Sequence, residues 1–162
     1  MAVYINNQNV SQSNHIYINN QDCKSVIFNG VQVWKRERNL FYNGAFGELG
    51  TPTMGYSEGY SFRDSHVEGA GWVINCDGRC DWWFPAVTTG YSNVNIKVVQ
   101  RFGAGTCIMF ASYTTSVWGN AAPIQVDITT PGTYTMNLPA NAIYVGVQAL
   151  KGGVYIERVW QN

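Results

Sequence analysis

Alternation with a period of two residues governs this chain. In AIYVGVQAL, residues 142–150, Ile143, Val145, Val147 and Ala149 fall on one side of an extended backbone, with Tyr144, Gly146 and Gln148 on the other. TYTMNL groups Tyr134, Met136 and Leu138, and NVNIKVV directs Val94, Ile96 and Val98 one way. Helical spacing of apolar residues is almost absent, whereas β-branched and aromatic residues broken by turn dipeptides run from end to end. The expectation is an all-β protein.

Strands are expected near 40–46, 67–75, 80–84, 93–102, 105–113, 123–130, 132–138, 142–150 and 153–160. So many short strands over residues 39–162 suggest a two-sheet jelly-roll β-sandwich. Residues 47–66, rich in Gly, Ser and Thr, read as a long surface loop, and loops of that length are often functional.

A small β-hairpin unit precedes the sandwich. VYINNQ at 3–8 recurs as IYINNQ at 16–21, each a short strand ending in an Asn-Asn turn. In SVIFNGVQVWKR, Asn29-Gly30 suits a type I′ turn. A two-residue loop would set Phe28 opposite Val31 and Val26 opposite Val33, with Ile27 facing Gln32 and Ser25 facing Trp34. Residues 1–38 are too few to hold together without a staple, a metal or a partner. Val26, Phe28, Val31, Val33 and Trp34 are therefore the candidate attachment or oligomerisation residues. KRER at 35–38 is either the boundary to a second domain, 39–162, or a solvated strand end.

Lysine plus arginine equal aspartate plus glutamate at ten each. That balance argues against nucleic acid, whose binding needs a basic surface, and against docking on an anionic membrane. MAVYINNQNV has neither the basic nor the apolar region of a secretory signal, and no window reaches the apolar length of a membrane helix. Synthesis in a cytoplasm is expected, which favours no pairing of Cys23, Cys76, Cys80 and Cys107.

GWVINCDGRCDWWFPA, residues 71–86, is the most unusual stretch. Consecutive Trp82, Trp83 and Phe84 point alternately, so either Trp83 or the Trp82/Phe84 pair faces solvent. An exposed indole offers a flat apolar platform to a sugar ring, and Asp81, Arg79 and Asn75 are the candidates for its hydroxyls. A role in the core or at a subunit contact competes with this. Cys76 and Cys80 flank DGR, which reads as a three-residue hairpin loop. Zinc there would need two further ligands, a disulfide across the turn is a second option, and ordinary small residues a third. Tyr113 and Trp118, in SYTTSVWGNAAP, form a second contact point or anchor their loop.

Catalysis finds little footing. Glu48, Glu58, Asp64 and Glu68 have no spacing that fixes a glycosidase pair. His66 beside Asp64 has no accompanying nucleophile motif, and there is no phosphate-cradling glycine loop. The expectation is a non-enzyme with no cofactor.

Two resemblances refine this. NLFYNGAFGELG and YTMNLPANAIYVGVQALKGGVYIERVW are similar to the ends of carbohydrate-binding modules built on the galactose-binding-like jelly roll. Such modules often open on Asn-Leu-x-x-Asn-Gly-x-Phe and close on a Val-Tyr-Ile-Asp-x-Val-like strand. They often hold a structural calcium between the first loop and the last strand. Ala45 and Glu157 stand where an acid is common, so half of that pattern is missing and no metal is assigned. The hairpin, through Phe28-Asn29-Gly30-Val31 and Val33-Trp34-Lys35, resembles short β units of phage virion proteins. Together the likenesses imply a non-enzymatic phage virion surface protein, made in the host cytoplasm and released by lysis. It would be attached to other virion proteins through its N-terminal unit, probing host-surface or mucosal polysaccharide. A homo-oligomer, with a trimer favoured, is implied too. The alternative is a capsid or baseplate decoration protein that binds no sugar.

Overall fold

A computed structural model describes residues 4–5, 8–9, 16–23, 25–56, 62–67, 71–86, 88, 90–112 and 124–162. All of its regular structure is β, and contacts divide the chain into two compact units, Met1–Glu37 with Asn162, and Arg38–Gln161.

The first unit holds three two-stranded hairpins: β1 (Tyr4–Ile5) with β2 (Gln8–Asn9), β3 (Ile16–Ile18) with β4 (Gln21–Cys23), and β5 (Ser25–Phe28) with β6 (Val31–Lys35). Asn19 and Asn20 have φ of 52° and 62°, and Asn29 and Gly30 have 50° and 77°, the two left-handed residues that a type I′ turn demands. Phe28 pairs with Val31 and Ile27 with Gln32, as a two-residue loop dictates. Beyond them the expected register fails. Val26 lies opposite Trp34 and Ser25 opposite Lys35, because Val33 is an extra residue that bulges the second strand. The expected apolar face is accordingly broken. Phe28 and Val31 are exposed and Val26 half-buried, while the side chains of Val33 and Trp34 lie outside the described set.

In the second unit, β7 (Arg38–Tyr42) turns at Asn43-Gly44 into β8 (Ala45–Phe46). Their φ values of 48° and 87° make this another Asn-Gly hairpin, so the expected single strand at 40–46 is two. Next come β9 (Thr53–Tyr56) and β10 (Phe62–Val67), which occupy much of the stretch expected to be loop. The remaining strands are β11 (Gly71–Pro85), β12 (Asn93–Phe102), β13 (Thr106–Ser112), β14 (Ile124–Asp127), β15 (Gly132–Asn137) and β16 (Tyr144–Gln161). All pairings among these ten strands are antiparallel and form one continuous network.

The network becomes a jelly-roll sandwich because its two longest strands cross from one layer to the other. Cys76 pairs with Gly152 and Arg79 with Leu150, so Asp77 and Gly78 together oppose Lys151, whose φ is +53°. One residue more on β11 than on β16 bends the ladder at this point. DGR is therefore a bulge within one strand, not a hairpin loop. Likewise the segments expected as separate strands at 142–150 and 153–160 are one.

Beyond the bend, Arg79–Pro85 and Tyr144–Leu150 form one layer with β9, β13 and β14. Before it, Trp72–Cys76 and the end of β16 join β7, β10, β12 and β15 in the other. The opening and closing motifs are hydrogen-bonded neighbours, with Phe41 paired to Val159 and Tyr42 to Arg158. Between the layers lie Trp72, Trp82, Phe84, Ile96, Met109, Val147 and Ile156, all buried. Each aliphatic or aromatic side chain taken out of water there contributes about 1.5–3 kcal/mol. Phe28 does not belong to this core.

Candidate functional site

Among the described residues one void of the core, between Trp82, Phe84, Met109 and Val145, measures about 10 Å³, the space of one water at most. The polar and aromatic residues singled out in the sequence are therefore followed to the outward faces.

Alternation along β11 decides which aromatic residues face outward. Cys80, Trp82 and Phe84 point into the core, opposite Ala149, Val147 and Val145, whereas Arg79, Asp81 and Trp83 point away from it. Trp82 is only 1% exposed and packs against Trp72 and Phe84, so the expectation that it meets a ligand is corrected. Trp83 is half-buried and meets Tyr144 edge-on, ring centroids 6.3 Å apart.

Register assembles the rest of this face. Across the ladder from Asp81 stand Gln148, then Ile108 and Asp127; across from Trp83 stand Gly146, then Phe110 and Gln125. Gly146 is required here, because a Cβ would lie 2.0 Å from the Trp82 carbonyl oxygen and 2.9 Å from the Trp83 Cα. Phe110 and Ser112 are buried on this side without joining the core. The middle of the face is thus closed, while its Trp83–Tyr144 side is half open.

Asp81 is the chemically unusual residue. Only 1% of it is exposed, and its Oδ2 accepts a hydrogen bond from Arg79 Nε at 3.0 Å. Oδ1 is buried and makes no hydrogen bond of full geometry, with the Gln148 side chain its weaker hydrogen-bonding neighbour. Burial raises its pKa above the ordinary carboxylate value; the Arg79 charge and the nearby Gln148 amide oppose that shift without cancelling it. Because its side chain is fully covered, Asp81 acts through Arg79 and Gln148, the partly exposed polar groups that it holds beside the Trp83–Tyr144 edge.

Of the other expected residues, Asn75 sits on the far side of the bend, in the opposite layer, and does not join Asp81 and Trp83. Tyr113 and Trp118 lie outside the described residues. Tyr144 and Gln148 were missed as site residues, although alternation in AIYVGVQAL already placed them together on the face away from Val145 and Val147.

The other layer carries a second polar–aromatic surface. Arg158 lies 4.5 Å from the Trp160 ring centroid and 5.8 Å from that of Tyr42, and its Nε and Nη2 both donate to Asn39 Oδ1. Nearby, the Asn43 N–H donates to the Glu157 carbonyl at 3.0 Å, joining the first turn to the last strand. The Glu157 carboxylate is already paired with Lys97 at 2.8 Å, and Ala45 supplies no side-chain ligand. Among the described residues no group of three His, Cys, Asp or Glu converges as metal ligands would.

No protein-family model and no curated protein matches the chain. Its backbone is similar to a solved carbohydrate-binding module, CBM29_1 of family 29 from Piromyces equi, with 8% sequence identity and a TM-score of 0.33. The match covers 70% of this chain and 87% of that one.

Proposed function

We propose that the chain is a non-enzymatic glycan-binding protein whose site is the outward face around Trp83, Tyr144, Asp81 and Gln148. The observation that carries this reading is Trp83, which alone of the Trp82-Trp83-Phe84 run points away from the core, beside the partly exposed Gln148 and Arg79 that the buried Asp81 carboxylate holds. The half-open indole edge and Tyr144 take the C–H face of a sugar ring; Gln148 and Arg79 take its hydroxyls, and the buried Asp81 carboxylate holds Arg79 in place. One such site is weak, so the protein acts in many copies.

The setting we propose is a phage virion, with the chain made in the host cytoplasm and fixed to other virion proteins through its N-terminal unit. What supports it is the likeness of the Asn29-Gly30 hairpin to virion β units. Detection of the chain in purified particles from a lysogen or infected culture tests this directly.

The second reading is a decoration protein that binds no sugar. Burial of Phe110 and Ser112 on the same face favours it, since a closed face has less to offer a polymer. Affinity electrophoresis of the full chain through gels carrying host-surface and mucin polysaccharides separates the two readings. Retardation abolished by Trp83→Ala and retained by Trp82→Phe is the expected result. Unchanged mobility on every polymer leaves decoration as the function.

A further inference from the structure

We propose that the outward face of the layer opposite Trp83 is a second saccharide site, one that takes carboxylate-bearing sugars through Tyr42, Arg158 and Lys97. It is independent of the Trp83 face. Ladder register sets the three side by side: Tyr42 on β7 pairs with Arg158 on β16, and Arg158 pairs in turn with Lys97 on β12. Tyr42 is 49% exposed and Lys97 is exposed too, so an aromatic ring and an ammonium group open to solvent flank the guanidinium.

Charge selects the ligand. Lys97 and Arg158 are like charges directly opposite on paired strands, an arrangement that lowers stability. Glu157 offsets part of it. This residue is an extra one in β16, since Lys97 pairs with Arg158 and Val98 with Ile156, and its carboxylate reaches Lys97 Nζ at 2.8 Å. Arg158 gives Nε and Nη2 to Asn39 Oδ1, a neutral amide oxygen that holds the guanidinium without cancelling its charge. Two cations against one carboxylate leave a local positive excess on a chain whose total charge is zero. An anion bound there is attracted by both cations, and a neutral sugar forgoes that attraction.

The aromatic rings require that the anion be carried on a sugar. Arg158 Cζ lies 5.8 Å from the Tyr42 ring centroid and 4.5 Å from that of Trp160. Uronic and sialic acids bear the carboxylate on a ring carbon, so a pyranose stacked on the open Tyr42 ring brings it to the neighbouring guanidinium. A free phosphate or sulfate would use the cations and leave the ring idle. The floor of the face is fixed in advance: Asn95, 4% exposed and paired with Trp160, accepts a hydrogen bond from Thr135 Oγ1 at 2.7 Å. Groups set on paired strands bind without the ordering cost that flexible loops incur.

Affinity electrophoresis of the full chain tests this in gels carrying polygalacturonate, polysialic acid, or polygalacturonate fully methyl-esterified, which keeps the rings and loses the charge. Retardation by one or both acidic polymers, and not by the ester, is the expected result. Tyr42→Ser keeps both cations and Lys97→Met keeps the ring; each should weaken retardation about tenfold, the effect of losing one good contact. Lys151→Met removes the same charge from the exposed bend of β16 and should leave retardation unchanged. Near-ultraviolet circular dichroism of the buried Trp72 and Trp82 reports that the sandwich has remained folded. Free migration through both acidic polymers overturns the proposal, as does equal retardation by the ester. Full retardation of either Tyr42→Ser or Lys97→Met overturns it too, as does an effect of Lys151→Met as large as that of Lys97→Met. None of these outcomes depends on whether Trp83→Ala alters binding to any polymer, so the two sites are judged apart.

Discussion

Trp72 and Trp82, ten residues apart on the same strand, have ring centroids only 4.5 Å apart. A straight strand would separate their Cα atoms by about 33 Å. The bulge at Asp77-Gly78 folds β11 over, and the two indoles meet between the layers that the fold creates. Trp82→Ala should therefore cost about 3–5 kcal/mol in urea unfolding. Its indole N–H is buried with no partner, so Trp82→Phe forfeits no hydrogen bond and should cost less than half as much. Equal losses from the two substitutions would mean that the N–H has a partner after all.

Gly146 is the corresponding point of close approach in the neighbouring strand. A methyl group there would strike the Trp82 carbonyl and the Trp83 backbone. Gly146→Ala should destabilise the fold by about 1–3 kcal/mol by forcing β11 and β16 apart. Since the displaced backbone carries Trp83, glycan retardation should weaken too. A variant as stable as wild type would require the two strands to sit farther apart than they do.

The sequence made the strands of this protein more legible than its corners. Alternation placed Val145, Val147 and Ala149 together and put Tyr144 with Gln148 on the far face, and Asn29-Gly30 specified its turn through local sterics alone. The strands expected at 142–150 and 153–160 left Lys151 and Gly152 between them, but β16 runs through both because its neighbour bulges at the same level. Such a bend depends on the partner strand, which single-strand periodicity does not encode. For the same reason Trp83 could be placed opposite Trp82, while the core side of the pair was unknown until Val147 came to lie against Trp82. The gathering of Asp81 and Gln148 likewise depended on a register between distant segments.

Arg158 fastens the first and last strands of the sandwich. Its guanidinium lies over Trp160 and places two donors on Asn39 Oδ1, at 2.9 and 2.7 Å. Lysine supplies one point charge and cannot reproduce that planar fork. Arg158→Lys should lower stability by about 1–2 kcal/mol in urea unfolding, while Lys97→Met, which breaks a solvent-exposed pair with Glu157, should cost less than about 1 kcal/mol. The reverse order would show that the ion pair, not the fork, holds this edge.

Asp81 links pH to both stability and binding. Burial raises its folded-state pKa above 3.8, the ordinary value, which the unfolded chain should show. Its protonated form is therefore favoured by folding. That contribution is complete below the unfolded value and disappears as pH rises through the folded one. Asp81→Asn, which never acquires the charge, should gain thermal stability on wild type as pH rises from the ordinary carboxylate value through the raised one. The gap should then hold constant. Ligand binding should run the other way. The ionised carboxylate holds Arg79 in place for the ligand, so wild-type retardation should weaken as pH falls through the raised pKa, whereas retardation of Asp81→Asn, weaker at neutral pH, should not change with pH. Melting curves that stay parallel for the two proteins would show that Asp81 is already neutralised by Arg79. A pH-independent affinity in wild type would remove Asp81 from the glycan site.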